Sequence, residues 1–310
     1  MAEGHQARRS ERDVRIITEA AAPVATSRAS RAPSLKYYQP PKPRGRQRAI
    51  INEAALVGGP AAITPVAAGR LPDASLGSFG DSMVLEVVLG NDDRVRVKQA
   101  DMNRNPFRQI CALRIRAQTG QLFVGTGWFI GPRAVATAGH CVFLHNEGGW
   151  AQSIDVIPSK FGASNPRGTL TSSKLRAVDG WTERKNTDFD YGVILLDDES
   201  VGEHVGWFEV AAESNEALAG PVANISGYPA DRDDANFQYF HARPLTRATP
   251  TRVEYTIDTF GGQSGSPVWI EESSGEIAAV AIHTTGGTTG NSGTRITEAV
   301  IDNFIAWRDE

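Results

Sequence analysis

The feature that most restricts the fold of this chain is a succession of short apolar runs from about residue 84 onward. Gly, Asn, Asp and Pro separate the runs, which lie at 84–89, 110–115, 122–130, 134–137, 154–157, 191–196, 222–226, 253–257, 267–270 and 277–282. Short strands with this punctuation are typical of an all-β barrel or sandwich. One helix is expected at the end, because Thr297 can cap it and four apolar residues share one helical face, namely Val300, Ile301, Phe304 and Ile305.

The first 80 residues have a different character. They are rich in Ala, Arg, Ser and Pro, and they hold 12 Lys and Arg against 6 Asp and Glu, whereas the remainder holds 20 against 30. Residues 37–44 favour polyproline II, and residues 50–57 could form one short helix. We predict a mostly disordered extension over 1–83. A solvated tail, a pro-segment lying on the acidic body and an arm that binds an acidic surface all remain open.

Composition narrows the class of protein. The chain has 310 residues, of which 40% are apolar and 22% charged, and its net charge is −4. No apolar stretch approaches the ~20 residues of a membrane span, and the ~7–15 apolar residues of a secretory signal are missing near the N-terminus. Two cysteines are too few for a zinc site. We therefore expect a protein with no membrane span, no metal or other cofactor and no nucleic-acid partner.

Three short segments carry residues suited to nucleophilic catalysis. They are Thr-Ala-Gly-His-Cys at 137–141, Asp-Phe-Asp-Tyr-Gly at 188–192 and Gly-Gly-Gln-Ser-Gly-Ser-Pro-Val at 261–268. A serine hydroxyl needs a base within hydrogen-bond reach, and the base needs a third group that orients it. The order His, Asp, Ser therefore predicts His140 as general base, Asp188 or Asp190 as its orienting group and Ser264 as nucleophile.

The glycines around the serine have a separate role. They let backbone N–H groups point at a developing oxyanion without a Cβ in the way. We predict that Gly262 and Ser264 supply the two oxyanion donors.

These segments resemble the glutamyl endopeptidases, bacterial members of the chymotrypsin-like serine proteases. The resemblance extends over 87–307 and includes residues 87–94, 281–283 and 291–294 besides the three motifs. It implies a protease domain at 84–310 made of two six-stranded antiparallel β-barrels, with the triad in the cleft between them. Barrel 1 would cover about 84–200, barrel 2 about 201–296 and the C-terminal helix 297–308. It also favours Asp190 over Asp188, because Asp190 stands directly before the residue that enters the strand.

The resemblance also implies a substrate preference for Glu, and less often Asp, before the scissile bond. It places His283 and Thr259 in the S1 pocket, joined by the α-amino group of Val87 at the mature N-terminus. One residue favours an alternative: Asp258 lies six before Ser264, the spacing at which trypsin-type proteases select Arg or Lys. Neighbouring strand positions face opposite sides, so Thr259 and Asp258 are not both expected to line the pocket. We favour Thr259, because His283 accompanies it, and keep the basic specificity open.

Val87 follows Glu86, so a Glu-specific enzyme could cut its own chain there and remove residues 1–86 as the pro-segment of a zymogen. Retention of the extension is the alternative. The family also implies a disulfide between Cys111 and Cys141, a location outside the cell or in its envelope, protein or peptide substrates, and a monomer. A rival hypothesis from another class is a protease-like binding module without turnover.

Overall fold

The computed structural model describes residues 7–9, 71–80, 88–271, 276–287 and 290–310, and it is mostly β. The predicted helix at 50–57, the residue Glu86 and the predicted pocket residue Val87 lie outside these residues. The strands are β1 (Ala7–Arg9), β2 (Val95–Arg96), β3 (Ile110–Arg116), β4 (Leu122–Gly131), β5 (Ala134–Thr137), β6 (Phe143–Leu144), β7 (Gly149–Trp150), β8 (Ser153–Pro158), β9 (Leu170–Ser172), β10 (Lys174–Val178), β11 (Gly192–Leu195), β12 (Glu209–Val210), β13 (Val222–Gly227), β14 (Tyr239–Ala248), β15 (Arg252–Tyr255), β16 (Pro267–Glu271), β17 (Ile277–Gly287) and β18 (Gly290–Arg295).

The helices in the described part of the chain are short except for the last. The α-helices are α1 (Leu76–Phe79), α2 (Gly139–Val142), α3 (Asp179–Thr182), α4 (Ser200–Val205) and α5 (Glu298–Arg308). Single 3-10 turns lie at Asp101–Asn103, Phe107–Gln109, His145–Glu147, Thr187–Phe189 and Asp233–Ala235. No helix in the described part of the chain is long and apolar enough to span a membrane.

Two large sheets follow one another along the chain. The first has the order β1-β10-β11-β5-β4-β3-β8-β9 and is antiparallel. In the second, β17-β16-β13-β14-β15-β18 form a closed barrel of six strands, because β18 pairs back onto β17. The all-β prediction with a C-terminal helix is confirmed. The first sheet differs from the predicted barrel: within the described ranges it is an open half-barrel, and β1 occupies the edge of β10.

The core is divided in the same way. One apolar cluster fills the first sheet, a second fills the closed barrel, and a third lies between them. In that third cluster, Trp128 of β4 contacts Phe208 and Phe304, with ring centroids 5.2 and 6.4 Å away. Helix α5 buries Phe304 there, so the C-terminal helix holds the two halves together.

Helix α5 differs from its prediction in detail. Thr297 is its N-cap, but only its carbonyl takes part, accepting the Ile301 N–H at 2.9 Å. The buried face consists of Val300, Phe304 and Trp307, whereas Ile301 is half-buried.

Residues 71–80, near the end of the predicted extension, pack against the first sheet. Asp73 forms a parallel β-bridge with Val124 of β4. Ala74 is buried in the core of the first sheet, and Phe79 packs against the same cluster. These apolar contacts explain why the segment packs against the first sheet.

Candidate active site

The three predicted catalytic residues come together between the two sheets. His140 lies on α2, which begins two residues after the end of β5, and Asp190 lies two residues before the start of β11. Strands β5 and β11 are antiparallel neighbours, so the end of one lies beside the start of the other. Ser264 lies on the loop that leads into β16. The side chains of all three are completely buried in this structure, each with 0% exposure.

Asp190 holds His140 through two hydrogen bonds. Its Oδ2 lies 2.7 Å from His140 Nδ1, and its Oδ1 accepts the His140 backbone N–H at 2.9 Å. This geometry leaves Nε2 as the nitrogen that can act as a base. Burial opposes the charged imidazolium, but the Asp190 carboxylate outweighs that effect and raises the pKa of His140 above its usual value.

Strand β4 of the first sheet holds the nucleophile loop of the second barrel. The Thr126 N–H donates to Ser264 O at 2.9 Å, and the Thr126 hydroxyl donates to Gly262 O at 2.7 Å. The Trp128 indole donates to Gly265 O at 3.1 Å. The sequence did not mark Thr126, because nothing in its local pattern indicates a partner 136 residues away.

Two glycines are required beside the nucleophile. Gly262 has a φ of +102°, and a Cβ built there would lie 2.4 Å from Tyr228 O. Gly265 has a φ of +89°, and its Cβ would lie 2.2 Å from Thr126 O. Since L side chains rarely adopt such angles and neither site has room, both positions depend on glycine.

An acidic residue from the N-terminal extension reaches this loop. The Ser264 hydroxyl donates to Asp73 Oδ1 at 3.2 Å, and the Gly262 N–H donates to Asp73 Oδ2 at 2.5 Å. Within the described residues, His140 Nε2 has no hydrogen-bond partner. The predicted bond between Ser264 and His140 is therefore replaced by one to Asp73, a residue that no sequence motif marked.

The two predicted S1 residues are buried near the nucleophile loop. His283 lies on β17, its carbonyl accepts the Gly265 N–H at 2.7 Å, and its Nδ1 lies 2.7 Å from Tyr255 Oη. Burial lowers the pKa of His283 to about 3, against a smaller opposing effect of Asp73. The hydroxyl of Thr259 is buried and has no hydrogen-bond partner in the described ranges.

Asp258 makes its contacts within the fold. Its carboxylate accepts the N–H of Leu89 at 2.8 Å and of Asp93 at 3.1 Å, and it lies 3.4 Å from His241 Nδ1. Asp93, His241 and Asp258 also have ligand atoms within 4.8 Å of one another, the geometry of a possible metal site. Those atoms are already engaged, since His241 Nδ1 accepts the Asp258 N–H at 2.9 Å and Asp93 pairs with Arg243.

The structure does not contain the predicted disulfide between Cys111 and Cys141, because both cysteines are free, buried thiols. Cys141 Sγ lies 3.7 Å from Ser264 O, and Cys111 Sγ lies 3.9 Å from Gln109 O. The two thiols therefore face different backbone carbonyl groups and not each other. Burial raises the pKa of both thiols, which makes them unreactive.

Comparisons with known proteins show which family the chain resembles. Residues 125–280 match the family model described as a trypsin-like peptidase domain. The chain is 38% identical to the glutamyl endopeptidase of Bacillus licheniformis over 232 residues, 73% of this chain and 70% of that protein. It is 35% identical to a Bacillus subtilis protein named extracellular metalloprotease over 224 residues, 72% of this chain and 70% of that protein.

Solved structures show the same likeness. A Glu endopeptidase in complex with MPD superposes with a TM-score of 0.63 and 27% identity, covering 72% of this chain and all of that one. The protease Anisep from Arthrobacter nicotinovorans, at 19% identity and a TM-score of 0.54, shares the fold; it covers 66% of this chain and 98% of that one. With the fold, the assembled His140–Asp190 pair and these relatives together, the chain belongs to the trypsin-like peptidase family and is a serine endopeptidase.

Proposed function

We propose that this endopeptidase cleaves after Glu, and less readily after Asp, and that Ser264, His140 and Asp190 perform the chemistry. His140 Nε2 takes the proton of the Ser264 hydroxyl as Oγ attacks the scissile carbonyl. The N–H groups of Gly262 and Ser264 stabilise the oxyanion. His140 then protonates the leaving amine, and a water activated by the same residue hydrolyses the acyl-enzyme.

One observation carries the acidic specificity: a buried, uncharged His283 that Tyr255 holds in place. A neutral imidazole and the Thr259 hydroxyl can both donate to a carboxylate without leaving a buried charge behind when the pocket is empty. The basic alternative is less well supported, because the Asp258 carboxylate is bound by the N–H groups of Leu89 and Asp93.

A panel of chromogenic peptides tests this specificity. The peptides carry Glu, Asp, Arg, Lys or Phe before the cleaved bond and are otherwise identical. We expect the highest kcat/KM for Glu and no turnover by Ser264→Ala with any peptide. Preference for Arg would instead assign Asp258 to the pocket. No cleavage of any peptide, with Ser264→Ala indistinguishable from wild type, would leave the binding-module hypothesis.

A second test separates serine from metal chemistry, since one relative is named a metalloprotease. We expect a fluorophosphonate to abolish activity by labelling Ser264, and EDTA to leave the initial rate within twofold. A metal-dependent enzyme would instead lose its activity in EDTA and keep it after treatment with the fluorophosphonate. Asp93→Asn removes one possible ligand of the 93, 241 and 258 group, and it should leave the sensitivity to EDTA unchanged.

We further propose that residues 1–86 are a pro-segment removed by a cut between Glu86 and Val87. Leu89, two residues beyond Val87, is bound through its N–H to Asp258, the chain neighbour of Thr259. A chain that begins at Val87 would therefore start close to the predicted pocket. Intact-mass measurement should give a mature form beginning at Val87 for wild type and a full-length chain for Ser264→Ala. A mature form that still begins near Met1 contradicts removal.

The mature enzyme is proposed to act outside the cytoplasm, in the medium or the cell envelope, as a monomer on protein or peptide substrates. The name of the Bacillus subtilis relative supports the location for that protein. Fractionation of the native host and light scattering of the purified enzyme test the two statements.

A further inference from the structure

Residues 71–80 lie in the active-site cleft, where they pair with the strand that holds the nucleophile loop. The Ala74 N–H donates to Val124 O at 2.9 Å, and the Val124 N–H donates to Pro72 O at 2.8 Å. Val124 lies two residues from Thr126, which binds Gly262 and Ser264. These bonds bring Asp73, the residue between Pro72 and Ala74, to the nucleophile.

The Asp73 side chain occupies the positions that a reacting substrate needs. Its Oδ2 accepts the Gly262 N–H, the predicted oxyanion donor, and its Oδ1 accepts the Ser264 hydroxyl. The same Oδ1 accepts the Ser75 N–H at 2.8 Å, which fixes the carboxylate in this orientation. The Ser264 hydroxyl, which should donate its hydrogen bond to His140, therefore donates it to Asp73.

A carboxylate at this place is not a substrate. Its carbon carries no amine that could leave, and its charge makes it a poor electrophile for Ser264. The negative oxygens do, however, resemble the oxyanion that the site stabilises during peptide hydrolysis. The segment can therefore bind tightly to the reacting centre without being cleaved there.

The rest of the segment covers the general base. The Phe79 ring lies 5.7 Å from the Trp181 ring and 6.2 Å from the His140 ring, and Lys185 Nζ lies 5.4 Å from its centroid. The Ser78 hydroxyl accepts the His145 N–H at 3.1 Å. With this cover in place both Ser264 and His140 have 0% exposure, so no peptide bond can reach them.

We propose that the active-site cleft binds residues 71–80 of its own chain as a tethered inhibitor, with the Asp73 carboxylate in the oxyanion hole, so that the enzyme is latent while this segment is attached. The proposal rests on the catalytic roles given under Proposed function. It does not depend on which residue precedes the scissile bond. It also names the chemistry of the ligand: an extended peptide with an acidic side chain where the carbonyl of a substrate would lie.

The test uses the full-length chain with Glu86→Gln in every protein, so that the proposed processing does not intervene. The readout is the second-order rate of Ser264 labelling by a small fluorophosphonate, which requires no side chain in the S1 pocket. Asp73→Ala should label at least tenfold faster than the parent. The matched control is Asp198→Asn, an exposed acidic residue that caps Ser200, and it should label at the parent rate. Equal rates for Asp73→Ala and the parent would overturn the proposal.

A second measurement covers the case in which Asp73→Ala fails to fold. A synthetic peptide of residues 71–80 is added to enzyme that begins at Val87, and the labelling rate of Ser264 is followed. We expect saturable protection that weakens at least tenfold when the peptide carries Asp73→Asn. Absence of protection at millimolar peptide, or equal protection by both peptides, would overturn the role of the carboxylate. Fast labelling of Asp73→Ala, together with no cleavage of Glu peptides by the enzyme that begins at Val87, would refute the proposed specificity and leave the inhibition standing.

Discussion

At the scale of single residues, Asp190 determines both the orientation and the charge of His140. Its two oxygens bind the ring and the backbone of the same residue at 2.7 and 2.9 Å. The burial that should favour a neutral imidazole is outweighed by the carboxylate. Because catalysis needs the neutral base, activity should appear only as the pH rises through the raised pKa of His140.

We predict that Asp190→Asn, in the mature enzyme, lowers kcat roughly 10⁴-fold, because the amide favours the wrong tautomer of the base. Loss of the carboxylate also lowers the pKa of His140, so the acid limb of the remaining activity should move to lower pH. The measurement is the pH profile of kcat/KM. Asp188→Asn is the matched control and should change both quantities little. An acid limb at the same pH in Asp190→Asn and wild type would show that Asp190 does not raise the pKa of His140.

Tyr255 is expected to act on specificity through His283. We predict that Tyr255→Phe lowers kcat/KM for a Glu peptide by about tenfold, the equivalent of one hydrogen bond of about 1.4 kcal/mol. For a Phe peptide the loss should be under twofold. Tyr191→Phe removes another buried phenol bond, that to Asn303 at 2.8 Å, and it should affect both peptides equally. An equal loss on both peptides in Tyr255→Phe would show a general structural effect.

The residues that the sequence predicted lie in local motifs whose chemistry is recognisable, and those it missed are marked only by their distant partners. Ser264 and His140 each lie in a glycine-containing segment whose chemistry can be read directly. Asp73 could not be predicted, because the group it binds lies 191 residues further along the chain. Tyr255 is similar, since a tyrosine on a strand looks like a core residue until His283 is placed beside it.

At the scale of elements, β4 has two functions. It is a central strand of the first sheet, between β3 and β5, and it also binds the loop of the second barrel that carries Ser264. The Thr126 hydroxyl alone makes two bonds, accepting the Tyr228 N–H at 3.0 Å and donating to Gly262 O at 2.7 Å. The catalytic loop is therefore positioned across the junction of the two sheets.

We predict that Thr126→Val, which keeps the side-chain shape, lowers stability by about 1–3 kcal/mol for each buried backbone group left without its partner. Loss of the bond to Gly262 O should also displace the Gly262 N–H, the proposed oxyanion donor, and so lower kcat. Urea unfolding and steady-state kinetics measure the two effects. Thr171→Val, at an exposed position of β9, is the control and should change neither. Unchanged kcat with reduced stability would mean that the loop keeps its position without Thr126.

Nine of the 18 strands in the described part of the chain could be predicted, because alternation and turn residues are local signals. The runs at 110–115, 122–130 and 134–137 correspond to β3, β4 and β5. Closure of the barrel could not be predicted in this way, because it depends on which strands at the edges of the sheets pair with each other. The sequence gives no local sign that β18 returns to β17, or that β1 lies on the edge of β10.

At the scale of the whole molecule, a buried ionic network ties residues 88–96 to the second barrel. Arg94, whose side chain is fully buried, lies 2.7 Å from Asp92 and binds Asp231 through Nη1 at 3.0 Å. Burial opposes the charge of Asp92, but Arg94 and Arg232 outweigh it and hold its pKa well below the usual range. This contribution to stability is present above about pH 3.9, the unfolded pKa of Asp, and is lost as the pH falls through the depressed pKa.

We predict that Arg94→Leu lowers the free energy of unfolding at pH 7 by about 3–5 kcal/mol, because two carboxylates lose their buried partner. Arg96→Leu, on a half-exposed neighbour 3.8 Å from Asp233, should cost less than about 1 kcal/mol. Denaturant unfolding at pH 7 measures both. Equal effects of the two substitutions would show that burial of Arg94 does not matter.

The pairing of β1 with β10 has a consequence for the time course of maturation. Where the structure describes the extension, it contacts the body at two separated places, Ala7–Arg9 on β10 and residues 71–80 in the cleft. A cut after Glu86 breaks the covalent link but neither contact, and two-point attachment slows departure because one contact can re-form while the other holds. A severed extension would therefore leave mainly by dilution. Concentrated enzyme would stay inactive after cleavage, and the same enzyme diluted into a large volume would become active after a lag.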